Sequence, residues 1–175
     1  MPFSLTSLVD DPTHFRTHGS VREEIEAACA RHPDVATFRE LGPSEKGAML
    51  YGVRLGTGDR TVSLIAGNHA DEPVGPETLR SFVLNALANR NKMAPWLRRF
   101  QFVIVPHTNP DGEARNRSWI EAWPDPKAYL RHAVREQPGR DLEYGYPAMR
   151  PENEHVASVL RAHAPFVLHA SLHGM

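Results

Sequence analysis

Apolar and polar positions along the chain change period several times. Val21, Ile25 and Ala28 recur at helical spacing behind Ser20-Val21-Arg22-Glu23, a capping-box pattern, and His32-Pro33 ends that helix. Val35 to Leu41 and Met49 to Leu55 read as strands, and Gly56-Thr57-Gly58-Asp59 turns the chain into a third, Thr61 to Ala66. A helix is expected from about Pro76, with Leu79, Phe82, Val83, Ala86 and Leu87 as its buried stripe. Phe100 to Val105 is another apolar run of strand length, and Asn109-Pro110-Asp111-Gly112 is a turn signal. The Pro-interrupted stretch Ser118 to Gly139 predicts one short helix near Lys127 to Arg135. Pro151-Glu152 opens a helix to about His163, Pro165 ends it, and Phe166 to Leu172 forms the last strand. Strands alternating with helices predict an α/β fold: a mixed, largely parallel central sheet with helices on both faces.

Composition narrows the class. At 175 residues the chain fits one domain, residues 1–175, with room for a core. A formal net charge of -1 gives no broad pull toward nucleic acid or an anionic membrane, so neither is an expected partner. The single cysteine, Cys29, excludes an internal disulfide and reads as a small buried apolar residue. Met1-Pro2-Phe3-Ser4-Leu5 lacks a basic start followed by an apolar stretch, so a cytoplasmic location is the expectation.

The chemistry gathers after the third strand. Gly67-Asn68-His69-Ala70-Asp71-Glu72 sets a histidine and a glutamate three residues apart in a strand-to-helix loop, with Gly67 before them and Gly75 after. The last strand delivers His173 at its end. Two imidazoles and one carboxylate suit a catalytic zinc ion and leave it an open position. Ligands of α/β sheets gather at the carboxyl ends of strands, where His69 and His173 are both expected. His169 falls on the same strand face as His173, and spacing alone does not choose between them.

Four blocks in order resemble the zinc metallocarboxypeptidases of the carboxypeptidase A type. Leu41-Gly42-Pro43-Ser44-Glu45-Lys46-Gly47 is similar to the family's Gly-x-Ser-x-x-Gly hairpin, and Gly67 to Gly75 to its first zinc block. Asn109-Pro110-Asp111-Gly112 matches a family turn, and Ser171-Leu172-His173-Gly174 resembles the block with the last zinc ligand. The resemblance implies a zinc cofactor held by His69, Glu72 and His173, rather than His169. It implies that Asp141 orients His69, and that Arg117 or Arg115, with Arg117 preferred, stabilises the negative oxygen formed as water attacks a carbonyl. The implied activity is hydrolysis of a C-terminal peptide or amide bond, with a peptide or an N-acyl amino acid as the substrate partner.

The chain departs from the pattern in two places. The family reads Asp-x-Asn-Arg where this chain has Asp141-Leu142-Glu143-Tyr144. Glu143 and Tyr144, the implied substrate-binding positions, offer a negative charge and a hydroxyl where a carboxylate clamp needs a guanidinium. Arg131, Arg135, Arg140 or Arg150 would have to supply that cation, or the substrate's recognised end is cationic or neutral. The family's general-base glutamate also follows the last zinc histidine at a distance, and the sequence ends at Met175. The expectation is therefore the N-terminal portion of a catalytic domain. Two rival readings are a deacylase of the succinylglutamate desuccinylase and aspartoacylase type, and a non-catalytic zinc-binding module.

Overall fold

A computed structural model describes Leu8, residues 14–137 and residues 139–174; Met1 to Leu5 and Met175 lie outside the described residues. Helix α1 (His18–Ala30) starts ahead of the expected capping box. Thr17 is its N-cap, and Ser20 instead donates its hydroxyl to the Thr17 carbonyl at 2.9 Å. Tertiary structure fixes this start, because the free His18 N–H is taken by the buried Glu113 carboxylate.

Strands β1 (Ala36–Pro43) and β2 (Met49–Leu55) form an antiparallel hairpin, and β3 (Arg60–Ala66) follows. Helix α2 (Val74–Ala88) buries Leu79, Val83, Ala86 and Leu87. Helix α3 (Arg90–Arg99) was not foreseen, because Pro95 and four basic residues hide the one buried pair, Met93 and Leu97, that gives it a core face. Strand β4 (Phe100–Val105) matches its apolar run. The expected turn at Asn109-Pro110-Asp111-Gly112 is instead the first turn of helix α4 (Pro110–Ile120). Pro110 has no N–H to leave unpaired there, and the Asn109 side chain accepts the Gly112 N–H at 3.0 Å. Helix α5 (Pro126–His132), helix α6 (Pro151–His163) and strand β5 (Leu168–Leu172) complete the order.

The sheet runs β1-β2-β4-β3-β5. It is evenly divided rather than largely parallel: β1-β2 and β2-β4 are antiparallel, whereas β4-β3 and β3-β5 are parallel. The tight 44–48 connection between β1 and β2 permits only an antiparallel pairing. Helices cover both faces. Tyr51, Val53, Leu55, Ala66 and Ile104 meet α1, α2 and α3 on one side, while Leu50, Ile65 and Val105 meet Val156 of α6 on the other. Strands β1 and β5 stand at the two ends of this order, and Leu168 of β5 is more than half exposed. Cys29 is buried as expected, and among the described residues no helix is long and apolar enough to cross a membrane.

Candidate metal centre

The parallel half of the sheet assembles the site. Ala66 of β3 pairs with Leu172 of β5, and Ile65 with Val105 of β4, so three strands end along one line. Just past these ends come Asn68-His69, His107-Thr108 and His173. Asn68 stitches the ends together: its Oδ1 accepts the Thr108 hydroxyl at 2.7 Å and its Nδ2 donates to Ser171 Oγ at 3.3 Å. Two glycines permit the close approach. Gly67 has φ +81°, and a Cβ there would lie 2.7 Å from His107 Nδ1. A Cβ on Gly75 would lie 2.7 Å from the Leu172 carbonyl oxygen, so only glycine lets the start of α2 rest on the end of β5.

Three side chains converge there. His69 Nδ1 stands 2.9 Å from Glu72 Oε1, His173 Nδ1 stands 3.0 Å from Glu72 Oε2, and the two Nδ1 atoms are 3.3 Å apart. Donors about 2.0–2.1 Å from a tetrahedral zinc ion lie about 3.3 Å from one another, so these spacings are close to the edges of its coordination polyhedron. The outer ring nitrogens face carboxylates. His69 Nε2 lies 3.3 Å from Asp141 Oδ2 and 3.3 Å from Glu143 Oε2, and His173 Nε2 lies 3.0 Å from Glu143 Oε1. Carboxylates on that side favour the tautomer with the proton on Nε2, which turns both Nδ1 lone pairs toward one centre. Burial alone would raise the Glu72 carboxyl. With ring N–H groups of His69 and His173 and the Gly174 N–H donating to it the group falls to about 2, and a metal ion in place of those ring protons would hold it as an anion in the same way. The residues fit a divalent zinc ion in number, type and spacing.

His169 does not join this group; its Nδ1 lies 3.2 Å from Ser63 Oγ. Asp141 does, and its Oδ1 also accepts the Glu143 N–H at 2.8 Å. The two expected arginines sit on α4, away from the donors. Arg117 pairs with Glu121 at 2.8 Å and is mostly exposed, while Arg115 pairs with Glu136 at 2.6 Å. The arginine brought to the centre is Arg135, whose Nε donates to Asp71 Oδ1 at 2.9 Å and whose Nη2 donates to Glu72 Oε1 at 2.7 Å. It was expected inside a helix, but α5 stops at His132. The Asn116 side chain binds both the N–H and the carbonyl of Val134, at 2.8 and 2.9 Å, and draws the chain off the helical path. The readable signal was Asp71 beside Glu72, an acidic pair that calls for a cation. Tyr144 points outward, 82% exposed, and Arg150 is buried among Glu152, Glu136 and Asn109.

Motif residues away from the centre brace it. Asp111 of α4 accepts the Ser44 hydroxyl at 2.7 Å and the Lys46 N–H at 3.0 Å, which docks the hairpin block onto the Asn-Pro-Asp-Gly block. Behind them lies a buried polar network that the sequence did not disclose. Glu113 accepts from Arg80 Nη2 at 2.9 Å, from the His18 N–H, and from His107 Nε2 at 3.2 Å. Burial would raise the Glu113 carboxyl, but Arg80, His107 and the His18 N–H hold it well below the usual range. Burial and the nearby His107 push His18 down to about 4, and burial also lowers His107.

These shifts fix an acid response. Unfolded His18 takes its proton near pH 6.5 and folded His18 only near 4, so its contribution is intact above 6.5 and is lost as the pH falls toward 4. The loss is about 3 kcal/mol, and His107 adds to it with the same sign. Urea unfolding of metal-free protein should show stability falling between pH 6.5 and 4, with a shallower fall in His18→Gln. Equal slopes for the two proteins would rule out His18 as a source.

Fold and donor set define a class: a mixed α/β protein with a candidate two-histidine, one-glutamate metal centre at the carboxyl edge of its sheet. The family model for zinc carboxypeptidases matches residues 21–175, and the chain belongs to that family. Carboxypeptidase B of Astacus astacus is 26% identical over 107 residues, covering 59% of this chain and 35% of its own. The carboxypeptidase A structure from Helicoverpa armigera superposes with a TM-score of 0.72 at 16% identity, over 92% of this chain and 46% of that one. An aspartoacylase family protein from Mesorhizobium loti gives 0.54 at 17% identity, over 79% of this chain and 40% of its own. The two structural likenesses show the fold, and the chain spans about a third to a half of each of these proteins.

Proposed function

We propose that this chain carries the metal centre of a zinc-dependent metallocarboxypeptidase that hydrolyses a C-terminal peptide or amide bond. The observation that carries the reading is the convergence of His69 Nδ1, His173 Nδ1 and the Glu72 carboxylate, each within 3.3 Å of the next. Zinc held by these three residues would supply the Lewis acidity that activates water and polarises a carbonyl. Asp141 holds the His69 ring from behind. Arg135 takes the oxyanion role in place of Arg117 or Arg115, because its guanidinium already borders Glu72 and has donors beyond those given to Asp71 and Glu72. Glu143 does not suit the role of general base, since it stands behind the imidazoles at their outer nitrogens.

Arg135→Ala should lower kcat by about 100- to 1,000-fold with KM little changed and zinc content unaltered. Arg135→Lys should recover only a small part of this, because an ammonium lacks the planar fork. A change confined to KM would move Arg135 to substrate binding.

The fold likeness to an aspartoacylase family protein favours one second reading, release of an acyl group from an N-acyl amino acid. Zinc content and turnover should be measured on peptides with free and amidated C-termini and on N-acyl amino acids. Peptide hydrolysis by zinc-loaded protein supports the carboxypeptidase. Turnover of N-acyl amino acids alone supports the deacylase, and stoichiometric zinc without turnover of either in the full-length protein supports a non-catalytic module.

A further inference from the structure

The residue that breaks the expected Asp-x-Asn-Arg pattern is the one that touches both metal-ligating rings. Glu143 Oε1 lies 3.0 Å from His173 Nε2, and Glu143 Oε2 lies 3.3 Å from His69 Nε2. A single carboxylate thus spans the outer nitrogens of two imidazoles that lie 104 residues apart in the sequence. Its placement is itself built: the Glu143 N–H is held by Asp141 Oδ1 at 2.8 Å, and neighbouring Leu142 is buried. Asn153 donates to the Leu142 carbonyl at 2.6 Å and so ties this segment to α6. The next residue, Tyr144, turns out to solvent, so the chain presents Glu143 inward.

We propose that Glu143 is a positioning residue of the metal centre: its carboxylate grips the outer nitrogens of both His69 and His173 and fixes the two rings for one ion. This rests on the metal reading above and goes beyond it, because it removes Glu143 from substrate recognition. Asp141 reaches only His69; His173 has Ser171 Oγ at 3.2 Å and Glu143 as its outer partners. A carboxylate is the stronger acceptor of the two and fixes the tautomer more firmly. With both oxygens engaged, Glu143 is poorly placed to accept a cationic substrate end. Substrate preference would then be set by other residues.

Glu143→Gln tests this. The amide keeps the size of the side chain but has one acceptor oxygen, so it serves one imidazole N–H and turns an N–H₂ donor toward the other. Zinc affinity of the intact protein, measured by competition with a chromophoric chelator, should fall about 10- to 100-fold. The visible absorption of the cobalt-substituted protein should change in position or intensity, which a merely structural role would not produce. Glu143→Asp, which keeps the charge but is shorter, should recover part of the affinity. The melting temperature of the metal-free variants should match that of the wild type, which separates positioning from folding. Wild-type protein that binds zinc while Glu143→Gln binds within twofold, with an unchanged cobalt spectrum, overturns the inference alone. Wild-type protein that takes up no zinc overturns both the inference and the reading beneath it.

Discussion

Glu72→Gln should strip the protein of tightly held zinc and of hydrolysis together. Glu72 is the hinge of the donor set: one oxygen faces His69, the other faces His173, and the Gly174 N–H also donates to it at 3.2 Å. Glutamine preserves the outline but removes the charge and one acceptor, and it turns an N–H₂ toward an imidazole lone pair. The loss in zinc affinity should exceed the roughly 100-fold upper range seen when an outer partner of a metal ligand is removed. His173→Ala should behave alike, whereas His169→Ala should bind zinc as the wild type does, since His169 sits beside Ser63 instead. Metal content after dialysis, a chelator titration and peptide hydrolysis measured on the same preparations check this. Full zinc occupancy in Glu72→Gln would dismantle the assignment of the centre.

The second large effect is on stability and lies away from the metal. Arg80→Met should destabilise the protein by about 3–5 kcal/mol, because it leaves the Glu113 charge buried without its strongest partner. Arg80 is 1% exposed, and Glu113 also holds the His18 N–H and His107. Removing one charge therefore loosens α1, α2, α4 and the loop after β4 together. The double variant Arg80→Met/Glu113→Gln should be less damaged than the sum of its single changes, since no isolated charge remains. Urea midpoints of the four proteins give the coupling, and strict additivity would show that the two residues act independently.

The outline of the fold was legible because its strands are short apolar runs: β2, β3, β4 and β5 each lie within about two residues of their sequence reading. Helix α4 was hidden because Asn-Pro-Asp-Gly serves equally as a turn and as a capped first helical turn, and only the residues that carry it on to Ile120 decide between the two. That misreading carried over to the arginines. With α4 taken as loop, Arg115 and Arg117 were free to reach the centre; on a helix their directions are set, and both find acidic partners elsewhere. Arg135 was obscured for the opposite reason, since the helix expected around it gives way to a segment shaped by Asn116, far off in sequence. His69, Glu72 and His173 were readable because each lies just past a strand end or shares its loop, but local pattern left His169 open as well, and it was the resemblance to the family's zinc blocks that singled out His173. Glu143 was legible as a departure from a pattern, but not as a contact, because its two partners come from β3 and β5.

His173 follows β5, which pairs in parallel with β3, and its ring reaches across to residues that follow β3. An ion seated between them would act as a clasp across two adjacent strand ends that lie far apart in the sequence. Taking up metal and holding those two ends side by side become a single event, so whatever separates β5 from β3 also loosens the grip on the ion.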